Sequence, residues 1–288
     1  MSFDLTELPL SDAEFQRVRE LLYDMAGISL GDSKRTLVLA RLSKLIRARG
    51  LTSFTAYLDQ LGNRPDTAAA QEFINALTTN LTRFWREEHH FSHLVGYIGE
   101  LIKVRAGQPG DKRLRLWSAG CSTGQEPFTI ALTLLEAYPE LRRWDFKILA
   151  TDIDTAVIAK AATATYPASE VSGLSAPRQA LFEQLPDGRV RVPAAAASVV
   201  SFKPLNLMSA WPMKGPFDAI FCRNVTIYFD KDTQAEVFNR FGDILAPGGF
   251  LYIGHSEHMG ATNGGFRLVG KTIYQARVGR PAVTKGAA

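Results

Sequence analysis

The feature that most constrains this chain is a change of periodicity near residue 77. Upstream of it, apolar residues recur every three or four positions. Downstream, short apolar runs that end in small or acidic residues alternate with helical stretches. Runs at 114–119, 146–150, 217–222 and 250–254 read as strands, and 126–138, the segment up to 164, and 232–245 read as helices. Strand–helix alternation of this kind dictates an α/β fold: a doubly wound, mostly parallel sheet with helices on both faces. Residues 266–278 are expected to add an antiparallel edge strand. Pro and Gly interrupt the alternation between about 166 and 203, where Asp187-Gly188 flanked by Val190 and Val192 predicts a hairpin inside a small inserted β-subdomain.

The first 76 residues predict a small all-α domain. Ser11 and Glu14 have capping-box spacing, and Phe15, Val18, Leu21, Leu22 and Met25 follow at helical intervals up to Gly27. Further helices are expected at 33–49, 53–61 and 67–77. The second carries Lys34, Arg35, Arg41, Lys44, Arg47 and Arg49 without an intervening acid. Its apolar stripe is Val38, Leu42 and Leu45, while Arg41, Lys44 and Arg47 step along the flank. That pattern suits either a solvated face or a docking surface for an acidic helix. Residues 77–88 are expected to link the helical domain to a second domain at 89–278, and 279–288 to form a flexible tail.

Two local patterns locate a ligand. The segment WSAGCSTGQEP (117–127) runs from a strand through a loop of small residues into a helix, and so offers backbone N–H groups at a strand's C-terminal end. It lacks the G-x-G-x-x-G of a dinucleotide fold. The next strand ends in ATDID (150–154), where Asp152 is placed to grip ribose hydroxyls; Asp152 or Asp154 is alternatively a helix cap. Together the two patterns favour an adenosine-type ligand.

The net charge of +4 fits an acidic partner without demanding nucleic acid, and no N-P-P-Y-type motif for a flipped base is present. No apolar run approaches the ~18 residues that span a bilayer, so no membrane insertion is expected. The N-terminus carries acids and no basic residue, unlike a secretory signal, and Cys121 and Cys222 are expected as reduced thiols in the cytoplasm. His89, His90, His93, His255 and His258 come without H-E-x-x-H or cysteine partners; packing rather than a metal site is expected.

The longest motifs are LTTNLTRFWREEHHF (77–91) and DAIFCRNVTIYFD (218–230). With WSAGCSTGQEP, ATDID, PLNL (204–207), GHSE (254–257) and the N-terminal Ala26-Gly27-Ile28, they resemble the chemotaxis receptor methyltransferase family, CheR, in order and spacing over nearly the whole chain. The resemblance implies a class I, Rossmann-like methyltransferase that uses S-adenosylmethionine, releases S-adenosylhomocysteine, and esterifies glutamate carboxylates on the cytoplasmic helices of chemoreceptors. It further implies that Asn80, Thr82 and Arg86 contact the donor and that Gly120 lies in the donor loop. Glu126 falls where it would hold the donor's amino end or a loop of the donor pocket, Asp152 at the ribose, Asn206 and Leu207 near the adenine, and Arg223 and Asn224 at the end of the fourth strand. Arg86 and Tyr228 are the candidates to steer the acceptor carboxylate, and Arg41, Lys44 and Arg47 to dock the receptor. The chain departs from the family at Thr226 (usually Met), Trp85 (usually Phe) and Gln125 (commonly Glu), and Thr226 is expected to change packing on the acceptor side. Some relatives read a receptor pentapeptide through a longer, glycine-bearing hairpin; the short segment at 183–190 predicts a pentapeptide-independent enzyme. A donor-binding sensor without transferase activity remains the alternative reading.

Overall fold

A computed structural model describes residues 8–62, 68–107, 112–260 and 265–277. The tail expected at 279–288 and the start of the fourth helix at Thr67 lie outside the described residues. The chain opens with four helices: α1 (Asp12–Ala26), α2 (Arg35–Ala48), α3 (Phe54–Leu61) and α4 (Ala68–Leu77). Each expected helix is found: α2 starts two residues later and ends one earlier than anticipated, α3 starts one residue later, and α3 and α4 end where anticipated. The α1 capping box forms as its spacing dictates: Ser11 N donates to Glu14 Oε2 at 2.8 Å and Glu14 N to Ser11 Oγ at 3.2 Å. Gly27 stops the helix at φ +69°. Glu14 also accepts from Thr55 N (3.0 Å) and Thr55 Oγ1 (2.8 Å), which ties the start of α1 to α3.

The second half contains α5 (His89–Ala106), β1 (Arg113–Ala119), α6 (Gln125–Ala137), β2 (Asp145–Asp152), α7 (Thr155–Ala162), β3 (Thr165–Pro167), α8 (Ala176–Gln179), β4 (Glu183–Gln184), β5 (Arg189–Arg191), α9 (Ala194–Ala197), β6 (Val200–Pro204), β7 (Phe217–Cys222), α10 (Lys231–Ile244), β8 (Leu245–Ile253), β9 (Phe266–Gly270) and β10 (Ile273–Ala276). Seven strands form one sheet in the order β6-β2-β1-β7-β8-β10-β9; the first five run parallel, β10 pairs antiparallel with β8, and β9 pairs antiparallel with β10. The chain winds outward from β1 through β2 to β6, then returns to β7 beside β1. The strand order therefore reverses between β1 and β7, where doubly wound sheets open a crevice above the strand ends.

Alternate residues of each strand feed two cores. Leu114 and Leu116 of β1 pack with α5, α6 and the inserted subdomain; Trp117 and Ala119 pack with α10 and the N-terminal helices. Both faces are covered, which is why the parallel strands read as continuous apolar runs. The N-terminal helices share a core with the sheet: Phe15, Leu22 and Phe73 belong to the same apolar cluster as Trp117 and Phe238.

Three differences from the sequence reading have physical causes. The 18-residue helix α5 carries its core stripe on Phe91, Leu94, Ile98 and Ile102, but three nearby histidines obscured it. Strand β6 pairs with β2 at the edge of the main sheet, so the insertion ends before Val200 rather than at 203; an edge strand half open to solvent has no continuous apolar run to announce it. The strand expected from 250 begins earlier, at Leu245: Ala246-Pro247-Gly248-Gly249 lies inside β8, whose register against β7 shifts between Phe217 and Ala219 to accommodate it.

Candidate donor and acceptor cleft

A cleft of about 440 Å³ opens at the strand-order reversal. Its floor comes from the ends of β1, β2 and β7, one wall from residues 77–86, and its roof from the 28–31 turn and Lys34 and Leu37 of the helical domain. The β1 loop is bent over β2: Gly120 N and Cys121 N both donate to Thr151 O, at 2.8 and 2.9 Å. Gly120 sits at φ +81°, and a Cβ there would lie 2.2 Å from Val225 Cγ2, so only glycine lets the two loops close together.

Asp152 and Asp154 have separate jobs. Asp154 Oδ1 caps α7 through Ala156 N (2.9 Å) and Val157 N (3.3 Å), while its Oδ2 accepts from Thr78 Oγ1 and Asn80 Nδ2, both at 2.7 Å. It thereby pins the 78–80 segment to the sheet. Asp152 Oδ2 accepts from Ser122 N at 2.8 Å, and its carboxylate borders the cleft. Burial raises its pKa against the pull of those backbone hydrogen bonds. On the floor, Glu126 accepts from Ser118 Oγ (2.7 Å) and from Arg223 Nη1 (3.1 Å); burial is the larger influence and leaves its pKa above the ordinary carboxylate value.

Arg223 is the centre of a buried charge network. Beside Glu126, its guanidinium lies 3.4 Å from Glu87 Oε2 and donates to Arg86 O. Glu87 Oε1 also accepts from His255 Nδ1 at 2.9 Å. Burial alone would lift the Glu87 carboxyl, but His255 and Arg223 hold it below its ordinary value. Trp85 and Glu87 both adopt positive φ (+50° and +59°), so the 84–88 segment turns tightly around Arg86. Arg86 Nη1 reaches back to Leu81 O at 3.0 Å.

A second carboxylate organises the loop after β7. Glu257 Oε1 accepts from Val225 N (3.0 Å), Thr226 N (2.7 Å) and Thr226 Oγ1 (2.8 Å); Oε2 accepts from Asn224 N (2.8 Å) and from Gly254 N. This buried side chain sets Asn224 at φ +59° and fixes the short turn that carries Tyr228.

The residues fit an adenosyl sulfonium donor. Of the groups bordering the cleft, the Asp152 carboxylate would suit a ribose diol, Ile153, Leu205 and Leu207 an apolar ring, and the Glu126 carboxylate, already paired with Arg223, an ammonium group. Asn224 Oδ1, on the cleft wall, is buried with no partner in the protein. Sequence comparison agrees. Residues 13–78 match the CheR methyltransferase all-alpha domain, and residues 80–275 match the CheR methyltransferase SAM binding domain.

The chain belongs to the CheR methyltransferase family. It is 44% identical over 273 residues to the chemotaxis protein methyltransferase of Escherichia coli K12, covering 93% of this chain and 92% of that one. The Salmonella typhimurium enzyme of the same description is 45% identical over 273 residues, with 93% and 91% covered. A probable chemotaxis protein methyltransferase of Rhizobium etli is 44% identical over 260 residues, with 88% and 96% covered. This CheR chain is an S-adenosylmethionine-dependent methyltransferase.

Of the residues singled out in the sequence, Asn80, Thr82, Arg86, Gly120, Glu126, Asp152, Asn206, Leu207, Arg223, Asn224 and Tyr228 all border this one cleft. Their side chains are engaged differently. The Asn206 carboxamide is taken up by Met25 O (2.7 Å) and Met208 N (2.9 Å), and so joins the end of α1 to the catalytic domain. Arg41 differs from the expectation of a free docking residue. It donates to Ala76 O and Thr78 O, where the end of α4 leaves carbonyls without helical partners. Lys44 and Arg47 are exposed. The Thr226 hydroxyl donates to Glu257 at 2.8 Å and so adds to the anchor of this loop.

Sequence reasoning missed Glu87, Asp154 as a linker anchor, and Glu257. The last two act on backbone N–H and side-chain groups far along the chain, which no local pattern signals. Ligand atoms of Glu87, His89 and His90 come within 4.8 Å of one another. Glu87 lies beside Arg223, His89 Nε2 contacts Lys271 O and His90 Nε2 contacts Thr272 Oγ1, while Glu87 Oε2 and His90 Nδ1 are buried without a hydrogen-bond partner.

Proposed function

We propose that this chain methylates glutamate side chains of chemoreceptors in the cytoplasm, each becoming a methyl ester, with Arg86 and Tyr228 steering the acceptor. The observation that carries the reading is one cleft that joins a buried acidic floor to a rim bearing Arg86, Tyr228 and exposed cations. Bound S-adenosylmethionine supplies an electrophilic methyl group on a sulfonium. A glutamate carboxylate, with an ordinary pKa of about 4.3, arrives already ionised, so no general base is needed. Its oxygen forms the new O–C bond as the C–S bond breaks, and the electron pair stays on sulfur; no proton moves. The protein's part is therefore to align and to exclude water. Arg86 is held at the rim by Leu81 O, by the Glu87 carboxylate 4.0 Å from its Nε, and by its own carbonyl, which accepts from Arg223.

In this account residues 1–76 dock the receptor, 77–88 join docking to catalysis, and 89–278 carry the donor site. Lys44 and Arg47 present charge to an acidic helix, while Arg41 anchors the linker. The two-residue strand β4 and the Leu185–Gly188 turn support recognition that is independent of a receptor pentapeptide. No helix among the described residues is long and apolar enough to cross a membrane. Mass-spectrometric mapping of a chemoreceptor cytoplasmic fragment after incubation with enzyme and donor tests the proposal: methyl groups belong on glutamate side chains. Methyl groups on lysine, or donor binding with no transfer, would overturn it.

A further inference from the structure

Two large apolar side chains stand open at the rim of the cleft. Leu81 is 82% exposed and Ile227 is 44% exposed, and among the described residues the other exposed large apolar side chains do not line this cleft. Neither sits on loose backbone. The neighbours of Leu81 are anchored by Ser122 Oγ donating to Asn80 O (3.0 Å) and by Asn80 Nδ2 donating to Asp154, and its own carbonyl accepts from Arg86. Ile227 lies in the Thr226–Tyr228 turn, fixed by Glu257 at one end and by Gln234 Nε2, which donates to Thr226 O (2.8 Å) and Phe229 O (3.0 Å). Rigid backbone that holds apolar side chains out into water is the arrangement of a contact surface.

The same rim carries Lys34 and Arg83. Both are exposed, and neither has an acidic partner among the described residues. Apolar knobs flanked by unpaired cations, around a cleft that accepts a carboxylate, are complementary to one kind of surface: an amphipathic acidic helix. We infer that Leu81 and Ile227 read apolar residues one helical turn from the target glutamate, while Lys34 and Arg83 pair with neighbouring acids, so that the rim selects which glutamate enters. On a helix, positions three and four apart lie on one face, so an apolar residue at that spacing rests on a knob when the glutamate points into the cleft. This inference rests on the proposed function and adds the residues that set acceptor specificity.

The test uses the full chain with a soluble cytoplasmic chemoreceptor fragment as acceptor and S-adenosylhomocysteine titration as the donor-site readout. Leu81→Ser with Ile227→Ser raises the acceptor KM about ten-fold, with kcat and S-adenosylhomocysteine affinity held within about two-fold. Leu81→Met with Ile227→Leu restores the wild-type KM, which separates a contact role from a folding defect. Lys34→Ser with Arg83→Ser raises KM at low salt, and the difference closes near 1 M salt. An unchanged acceptor KM in the serine pair, with wild-type ester formation intact, overturns the rim inference and leaves the proposed function standing. Parallel loss of S-adenosylhomocysteine affinity also overturns it, since the knobs would then belong to the donor site. Absence of any ester from wild-type enzyme removes both.

Discussion

Glu257→Gln is a change of one atom in a carboxylate that collects five donors. Oε1 serves Val225 N, Thr226 N and Thr226 Oγ1; Oε2 serves Asn224 N and Gly254 N. A glutamine keeps the shape but turns one edge into an NH2 donor. Whichever way the amide is placed, at least two backbone N–H groups then face a donor in a buried site. Hydrogen bonds to a charged group contribute about 1.5–3 kcal/mol each, so two lost bonds cost about 3–6 kcal/mol. That is a large part of the ~5–15 kcal/mol that holds a folded protein together. At about 2–4 °C per kcal/mol for a domain of this size, the melting temperature falls by roughly 6–24 °C. Urea unfolding followed by circular dichroism gives the free energy directly. A loss under about 1 kcal/mol at unchanged m-value would refute the claim that Glu257 anchors the Asn224–Tyr228 loop.

Gly120→Ala introduces a methyl 2.2 Å from Val225 Cγ2 at a φ of +81°; S-adenosylhomocysteine affinity measured by titration calorimetry falls at least about ten-fold, and Val225→Ala in the same background recovers part of it. Lys44→Glu with Arg47→Glu weakens binding to an acidic receptor fragment at low salt, an effect that vanishes as ionic strength rises, while donor affinity stays unchanged. Burial, aided by Arg223, lowers the His90 pKa from 6.5 to about 3. The unfolded chain therefore binds a proton that the folded chain refuses between those values. Stability from this group is full above about pH 6.5 and is lost as pH falls toward 3, by up to about 1.4 kcal/mol per pH unit. Urea midpoints between pH 8 and 4 show this slope in the wild type and a shallower one in His90→Phe.

Much of the donor site was legible because its signals are local. The small-residue loop after β1 and the acid at the end of β2 belong to a topology in which the ligand sits above the strand ends, and Gly120 and Asp152 are found there. Capping logic was local too: Ser11 with Glu14 and Asp154 before α7 form the hydrogen bonds their spacing implies. What escaped depends on distant partners. Arg41 looks like its exposed neighbours in sequence, and only the position of the α4 terminus makes it a carbonyl ligand. Glu257 sits in a recognised motif, yet its partners lie 31 to 33 residues away at Thr226 and Asn224. Strand β6 pairs on one side only, and so has no apolar run of its own. The Arg223 network with Glu87 and Glu126 joins segments 97 and more residues apart. Its members were visible as motif residues, but their charge balance was not.

The measurement that bears most directly on the central claim is transfer of a labelled methyl group from S-adenosylmethionine to a chemoreceptor cytoplasmic fragment, followed by mild base. The account predicts label that base releases as methanol, because a carboxyl methyl ester hydrolyses where an N-methyl amine does not. Tyr228→Phe lowers this release while S-adenosylhomocysteine still binds; Arg86→Ala lowers both, because Arg86 is expected to contact the donor as well as the acceptor. Label that survives base, or donor binding with no label on the receptor fragment, would contradict it.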